Sequence, residues 1–185
     1  MFEVRHLTMA ELEAGLDHIR QSPRDEGVLR MIVCRPAVNE REVLADAQLD
    51  IQDGLAGDNW KIRGSARTLD GGPNPEMQIN IMNSRATALV AQHQDRWPLA
   101  GDQLYIEMDL SEANLPAGSR LVLGSAIIEV TAPPHTGCQK FVSRFGLEAM
   151  KFVNSAVGRE LHLRGINARV VQSGSIRVGD IVRKL

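Results

Sequence analysis

The feature that most constrains this chain is a recurrence of short apolar runs, spaced roughly ten residues apart and punctuated by glycine and proline. Runs of this kind fall at 28–34, 43–51, 77–82, 103–108, 120–131, 161–164, 168–172 and 180–182. The segment 120–131 carries the longest strand signal, with Gly124 as a turn or bulge inside it. Helical periodicity is confined to three stretches. The first follows the capping box Thr8-Met9-Ala10-Glu11 and runs to about Gln21. The second is capped by Asn83 or Ser84 and stops at Pro98; the third begins near Leu147 and closes at Gly158. Strands and helices do not alternate, and neither a Gly-x-Gly-x-x-Gly nor a P-loop spacing occurs. The pattern therefore predicts one mainly β domain over residues 28–185, a closed or nearly closed β-barrel with about three peripheral helices. Residues 1–27 are expected to form a helical appendage to it.

Composition removes several function classes. A formal net charge of −2, a pI near 6.2 and 4% aromatic residues argue against a nucleic-acid partner. The longest apolar-rich segment, 121–130, is interrupted by Gly124, Ser125 and Glu129 and is too short for a bilayer, so no membrane partner is expected. Only Cys34 and Cys138 occur, which excludes a disulfide framework and a four-cysteine zinc site. The first residues lack the pattern of a secretory leader, so a cytoplasmic setting is predicted.

The chemistry concentrates in one loop, Pro133-Pro134-His135-Thr136-Gly137-Cys138-Gln139-Lys140-Phe141-Val142-Ser143-Arg144. The prolines end the preceding strand, because they cannot donate to a ladder. Gly137 allows a sharp turn immediately before the thiol. His135, Lys140 and Arg144 surround Cys138 without a nearby carboxylate, a setting that favours the thiolate and suits a nucleophile or a soft metal ligand. Lys140 and Arg144 could also bind a phosphate or oxyanion beside the sulfur. His135-x-x-Cys138 is half of a zinc spacing, but no second half is present. A Cys/His hydrolytic pair is a further reading, as is a non-catalytic module for small anions. Arg85 stands in the first turn of a helix, where a cation is unhelpful unless it faces an anion, and Asp58 follows a glycine at a strand boundary. The irregular segment 54–76 is long enough to cover a site. Cys34 reads as a core residue.

An ordered set of short motifs resembles the MOSC domain, named for the C-terminal domain of molybdenum cofactor sulfurases. It runs through Val28-x-Arg30-x-Ile32, Gly54-Leu55-Ala56-Gly57-Asp58, Met82-Asn83 and Leu99-Ala100-Gly101-Asp102-Gln103-Leu104. It continues with Leu115-Pro116-x-Gly118, Glu129-Val130-Thr131, Gly137-Cys138-x-Lys140-Phe141 and Gly174-x-Ile176-x-x-Gly179-Asp180. The resemblance covers about residues 28–183. It implies a β-barrel with one functional cysteine, here Cys138, which either ligates the metal of a molybdenum cofactor or carries sulfur as a persulfide. In related reductases the matching cysteine holds molybdenum for the reduction of N-hydroxylated compounds. His135, Lys140, Arg144, Arg85 and Asp58 become the candidate cofactor contacts, and the implied partners are the small-molecule cofactor or a sulfur-donor protein. Pyridoxal phosphate belongs to a separate desulfurase domain of the full-length sulfurases and is not expected here. The chain reads Gly101-Asp102-Gln103-Leu104 where the family usually has Gly-Glu-Asn-Leu.

Overall fold

The computed structural model describes residues 5–185. The strands of the main sheet are β1 (Glu26–Cys34), β2 (Glu42–Leu44), β5 (Ile79–Asn83), β6 (Leu104–Glu107), β7 (Arg120–Leu123), β8 (Ala126–Val130), β9 (Ile166–Gln172) and β11 (Ile181–Lys184). Their order is β11-β7-β8-β9-β5-β6-β1, closed by an antiparallel β11–β1 pairing, so seven strands form a barrel and β2 hangs on β1 as an extra strand. The β5–β6 pair is parallel and the others are antiparallel, which makes the barrel mixed. Closure removes the free sheet edges that would otherwise invite aggregation. A small second sheet joins β3 (Asp46–Asp50), β4 (Gly54–Leu55) and β10 (Gly174–Arg177).

The period of two along the strands explains why helices coat one side of the barrel. Ile32, Ile81, Leu104 and Ile106 point into the barrel core. Their neighbours Met31, Val33, Met82 and Tyr105 point outward into a second apolar cluster. Strands apolar on both faces need cover on both. The cover comes from α1 (Met9–Ala14), α2 (Leu16–Arg20), α4 (Ser84–Ala91), α5 (Gln139–Phe145), α6 (Leu147–Asn154) and α7 (Ala156–Glu160), whose buried members include Leu12, Ile19, Val90, Phe145 and Phe152. The short helix α3 (Trp60–Arg63) lies in the segment after β4.

Several elements differ from the sequence reading. The stretch 120–131 is a hairpin rather than one long strand, and the longest strand is β1. Its turn is at Gly124, at φ +56°, where an added Cβ would stand 2.1 Å from the Ser175 carbonyl oxygen. The N-terminal helical pattern is two helices meeting at Gly15. Residues 161–164 form a turn after α7 instead of a strand, with His162 at φ +48°. Seven α-helices are present among the described residues where about three were expected. They are four to eight residues long, too short to establish a 3.6-residue rhythm.

Candidate functional site

The site is built on a 3-10 helix, Gln94–Ala100, that ends at Gly101 in the left-handed region at φ +93°. Three consecutive carbonyl oxygens there each accept from a different arginine. Arg144 Nη1 donates to Leu99 O at 2.7 Å, Arg164 Nη2 to Ala100 O at 2.9 Å, and Arg35 Nη1 to Gly101 O at 2.9 Å. Glycine is favoured at 101 by its left-handed φ rather than by space, since an added Cβ would meet Arg144 Nη1 and Arg41 Nη2 only at ordinary contact, 3.8 Å. Two buried carboxylates stand behind the arginines. Asp58 takes Arg35 Nε at 2.8 Å and Nη2 at 2.9 Å, and Asp102 takes Arg164 Nη1 at 2.8 and 3.0 Å. The Arg164 guanidinium also lies 5.2 Å over the Phe141 ring.

In front of these residues opens a cleft of about 290 Å³, walled by Arg35, Arg41, Arg63, Arg164, Lys140 and Arg144 together with His135 and Cys138; no carboxylate lines it. Phe141 and Phe145 bury one face of α5, and the positions one residue earlier, Lys140 and Arg144, therefore share the neighbouring face. Among the described residues no ion pair joins Arg41, Arg63, Lys140 or Arg144 to a carboxylate. Burial, followed by the charges of Arg144 and Arg35, lowers the pKa of Arg41. Burial and Arg35 do the same to Arg63. Four buried side-chain atoms lack a hydrogen-bond partner among the described residues: Arg41 Nε, Asn59 Oδ1, His135 Nδ1 and Arg164 Nε. All four belong to residues lining this cleft. Buried polar atoms are rarely left unpaired, so the cleft has the make-up of a site for a polar, anionic ligand.

The cysteine loop crosses one side of the cleft. Cys138 is exposed and is the N-cap residue of α5, its carbonyl accepting from Phe141 N and Val142 N. His135 packs against Gly165, which is at φ +110°, and its Nδ1 lies 3.4 Å from Asp102 Oδ1 without hydrogen-bond geometry. Burial first, then Arg164, Arg35 and Arg67, push its pKa well below the usual imidazole value. Asp102 is already engaged by Arg164 and does not reverse that. His135 is thus a neutral ring at pH 7, not the cation expected beside the sulfur. A hydrogen-bond relay joins the loop to the cationic wall. Arg35 Nη1 donates to Asn80 Oδ1 at 2.9 Å, Asn80 Nδ2 to Asn167 Oδ1 at 2.7 Å, and Asn167 Nδ2 to the Pro133 carbonyl at 2.8 Å.

The structure brings Cys138, His135, Lys140 and Arg144 to one cleft. It does not bring Arg85 there. That side chain pairs with Glu107 at 2.9 Å and donates to the His18 carbonyl, so a carboxylate from β6 compensates its place in the first turn of α4. Nor does Asp58 face a ligand; it is buried and spent on Arg35 and the Trp60 amide. Cys34 is buried, with its thiol pushed up by desolvation and by Asp58 and Glu42. The sequence reading missed Arg35, Arg41, Arg63 and Arg164. Arg35 had a signal, a cation directly after the apolar run Met31-Ile32-Val33-Cys34; Arg164 had none, since its partners Ala100, Asp102 and Phe141 come from helix and loop segments distant in sequence.

Fold and site together define a small β-barrel protein with a single exposed cysteine beside an arginine-walled cleft. The model of the MOSC domain family matches residues 74–183, and the chain belongs to that family. No curated protein matches it. The fold is similar to that of the YuaD protein from Bacillus subtilis, with a TM-score of 0.64 and 17% identity over 86% of this chain and 95% of that one. YiiM from Geobacillus stearothermophilus is similar at TM-score 0.58 and 15% identity, covering 86% of this chain and 75% of that one. YiiM from Escherichia coli is similar at TM-score 0.54 and 17% identity, covering 85% and 69%.

Proposed function

We propose that this protein binds a molybdenum–pterin cofactor in the arginine-walled cleft, with Cys138 as the protein's ligand to the metal. The observation that carries the reading is the convergence of all four orphaned buried atoms on a cleft that has six cationic side chains and no carboxylate. A phosphorylated, heteroatom-rich organic group fits that donor set, because it offers charge to Arg41, Arg63, Lys140 and Arg144 and hydrogen-bond partners to Asn59 and Arg164. Among the described residues no group of three or more His, Cys, Asp or Glu could hold a bare metal ion. A metal here would need most of its ligands from the cofactor, with one soft thiolate from the protein. When bound, such a cofactor supplies two-electron redox chemistry at the metal. The chain's own residues anchor the anion, hold His135 neutral with a nitrogen free to accept or donate a hydrogen bond, and present the Cys138 sulfur.

The test is metal and pterin analysis of protein isolated from cells that make the cofactor, compared with Cys138→Ser. Retention of both molybdenum and pterin is expected in the unaltered protein, with loss of metal and partial retention of pterin in the variant. Unchanged molybdenum in Cys138→Ser would overturn the assignment. A mass gain of one sulfur atom on Cys138 without metal would replace it with a sulfur-carrier role.

A further inference from the structure

Between Thr131 and Cys138 the chain has little backbone pairing, because Pro133 and Pro134 have no N–H to donate. Two asparagines from other elements supply the missing contacts. Asn167 of β9 donates to the Pro133 carbonyl, on one side of His135. On the other side Asn154, the last residue of α6, closes a two-point clamp on the residue before the cysteine. Gly137 N–H donates to Asn154 Oδ1 at 2.8 Å, and Asn154 Nδ2 donates back to the Gly137 carbonyl at 3.1 Å. The fit is close, since a Cβ on Gly137 would meet Val153 Cγ2 at 3.1 Å and both Asn154 Nδ2 and Met150 Cγ at 3.3 Å. Cys138 is exposed and caps α5 without a side-chain hydrogen bond, so among the described residues no hydrogen bond to the sulfur itself holds it in place.

We infer that Asn154 is a positioning residue that fixes the Cys138 sulfur against the cationic wall of the cleft by holding both polar groups of Gly137. This rests on the reading of Cys138 as the working residue, but its test needs no metal. A thiol that lines the same cleft as Arg144 and Lys140 reacts faster with the anionic reagent iodoacetate, relative to neutral iodoacetamide, than a thiol outside that cationic field. The ratio of the two rates is insensitive to how exposed or how ionised the thiol is, whereas a change in general stability moves both rates together. Buried Cys34, resolved by peptide mass, serves as the internal control. The unaltered protein should show an iodoacetate preference at Cys138 that falls at least about three-fold in Asn154→Leu. Gly137→Ala, which displaces the same contact from the loop side, should lower it likewise and covers the case in which Asn154→Leu does not fold. A folded Asn154→Leu that keeps the full preference would overturn the inference, and so would absence of any preference in the unaltered protein. Failure of the cofactor assignment is seen separately, as molybdenum content that does not depend on Cys138.

Discussion

Replacing Asp58 by asparagine isolates the contribution of the buried pair that holds Arg35 in the cleft wall. Asp58 accepts four N–H groups: Arg35 N at 3.0 Å, Nε at 2.8 Å and Nη2 at 2.9 Å, and Trp60 N at 3.0 Å. An asparagine keeps one acceptor oxygen and turns the other into an NH2 group facing two donors. Two of the four bonds are lost, each at about 1–2 kcal/mol, and Arg35 loses its countercharge. Removing one partner of a buried pair costs about 3–5 kcal/mol. Arg35 keeps its bonds to Asn80 and Gly101 and borders an open cleft, so the lower end applies, about 3 kcal/mol. For a domain of this size that is a fall in thermal midpoint of about 6–12 °C. Urea unfolding of Asp58→Asn should show the loss with little change in m, and a double-mutant cycle with Arg35→Met should show the two losses to be strongly non-additive. The variant also gains one net positive charge in the cleft, so inorganic phosphate should stabilise it more than the unaltered protein. A loss below about 1 kcal/mol, or losses in the cycle that simply add, would refute the idea that this pair holds the wall together.

His135 gives a pH signature. Its pKa is depressed in the folded protein relative to the usual 6.5, so the unfolded chain binds the extra proton as pH falls through that value. Stability of the cofactor-free protein should decline from pH 7 toward pH 5 by up to about 1.4 kcal/mol per pH unit, and denaturant titrations of His135→Gln should lack that component. Arg144→Ala should weaken phosphate binding several-fold by calorimetry, whereas Arg85→Ala should leave it unchanged and lower stability by about 1 kcal/mol through Glu107. Gly165→Ala should be destabilising by more than about 2 kcal/mol in thermal unfolding, because φ is +110° there and the added Cβ would stand 2.2 Å from the Ile81 carbonyl oxygen.

Legibility varied from element to element for physical reasons. Strands such as β5 and β6 announce themselves by an apolar character that survives on both faces, and the barrel class follows from many such runs without intervening long helices. The helix α5 did not announce itself. Its seven residues start just after the cysteine, and their register is set by Phe141 and Phe145 finding the outer apolar cluster. The fate of charged residues was least legible. Arg85 and Arg144 look alike in one dimension, yet one meets Glu107 across a strand and the other meets only a carbonyl at the cleft.

What the sequence determined by itself was a mainly β barrel, the family, and a cysteine loop whose prolines and glycine forbid ordinary ladder pairing. These are properties of neighbouring residues, since backbone preference and apolar periodicity act over a few positions. Tertiary structure alone decided which cations gather at that loop, that His135 is neutral, and that Asp58 and Asp102 lie behind the arginines rather than at a ligand. Charge compensation and desolvation depend on distances of a few ångströms between groups far apart along the chain, and only the folded barrel sets those distances.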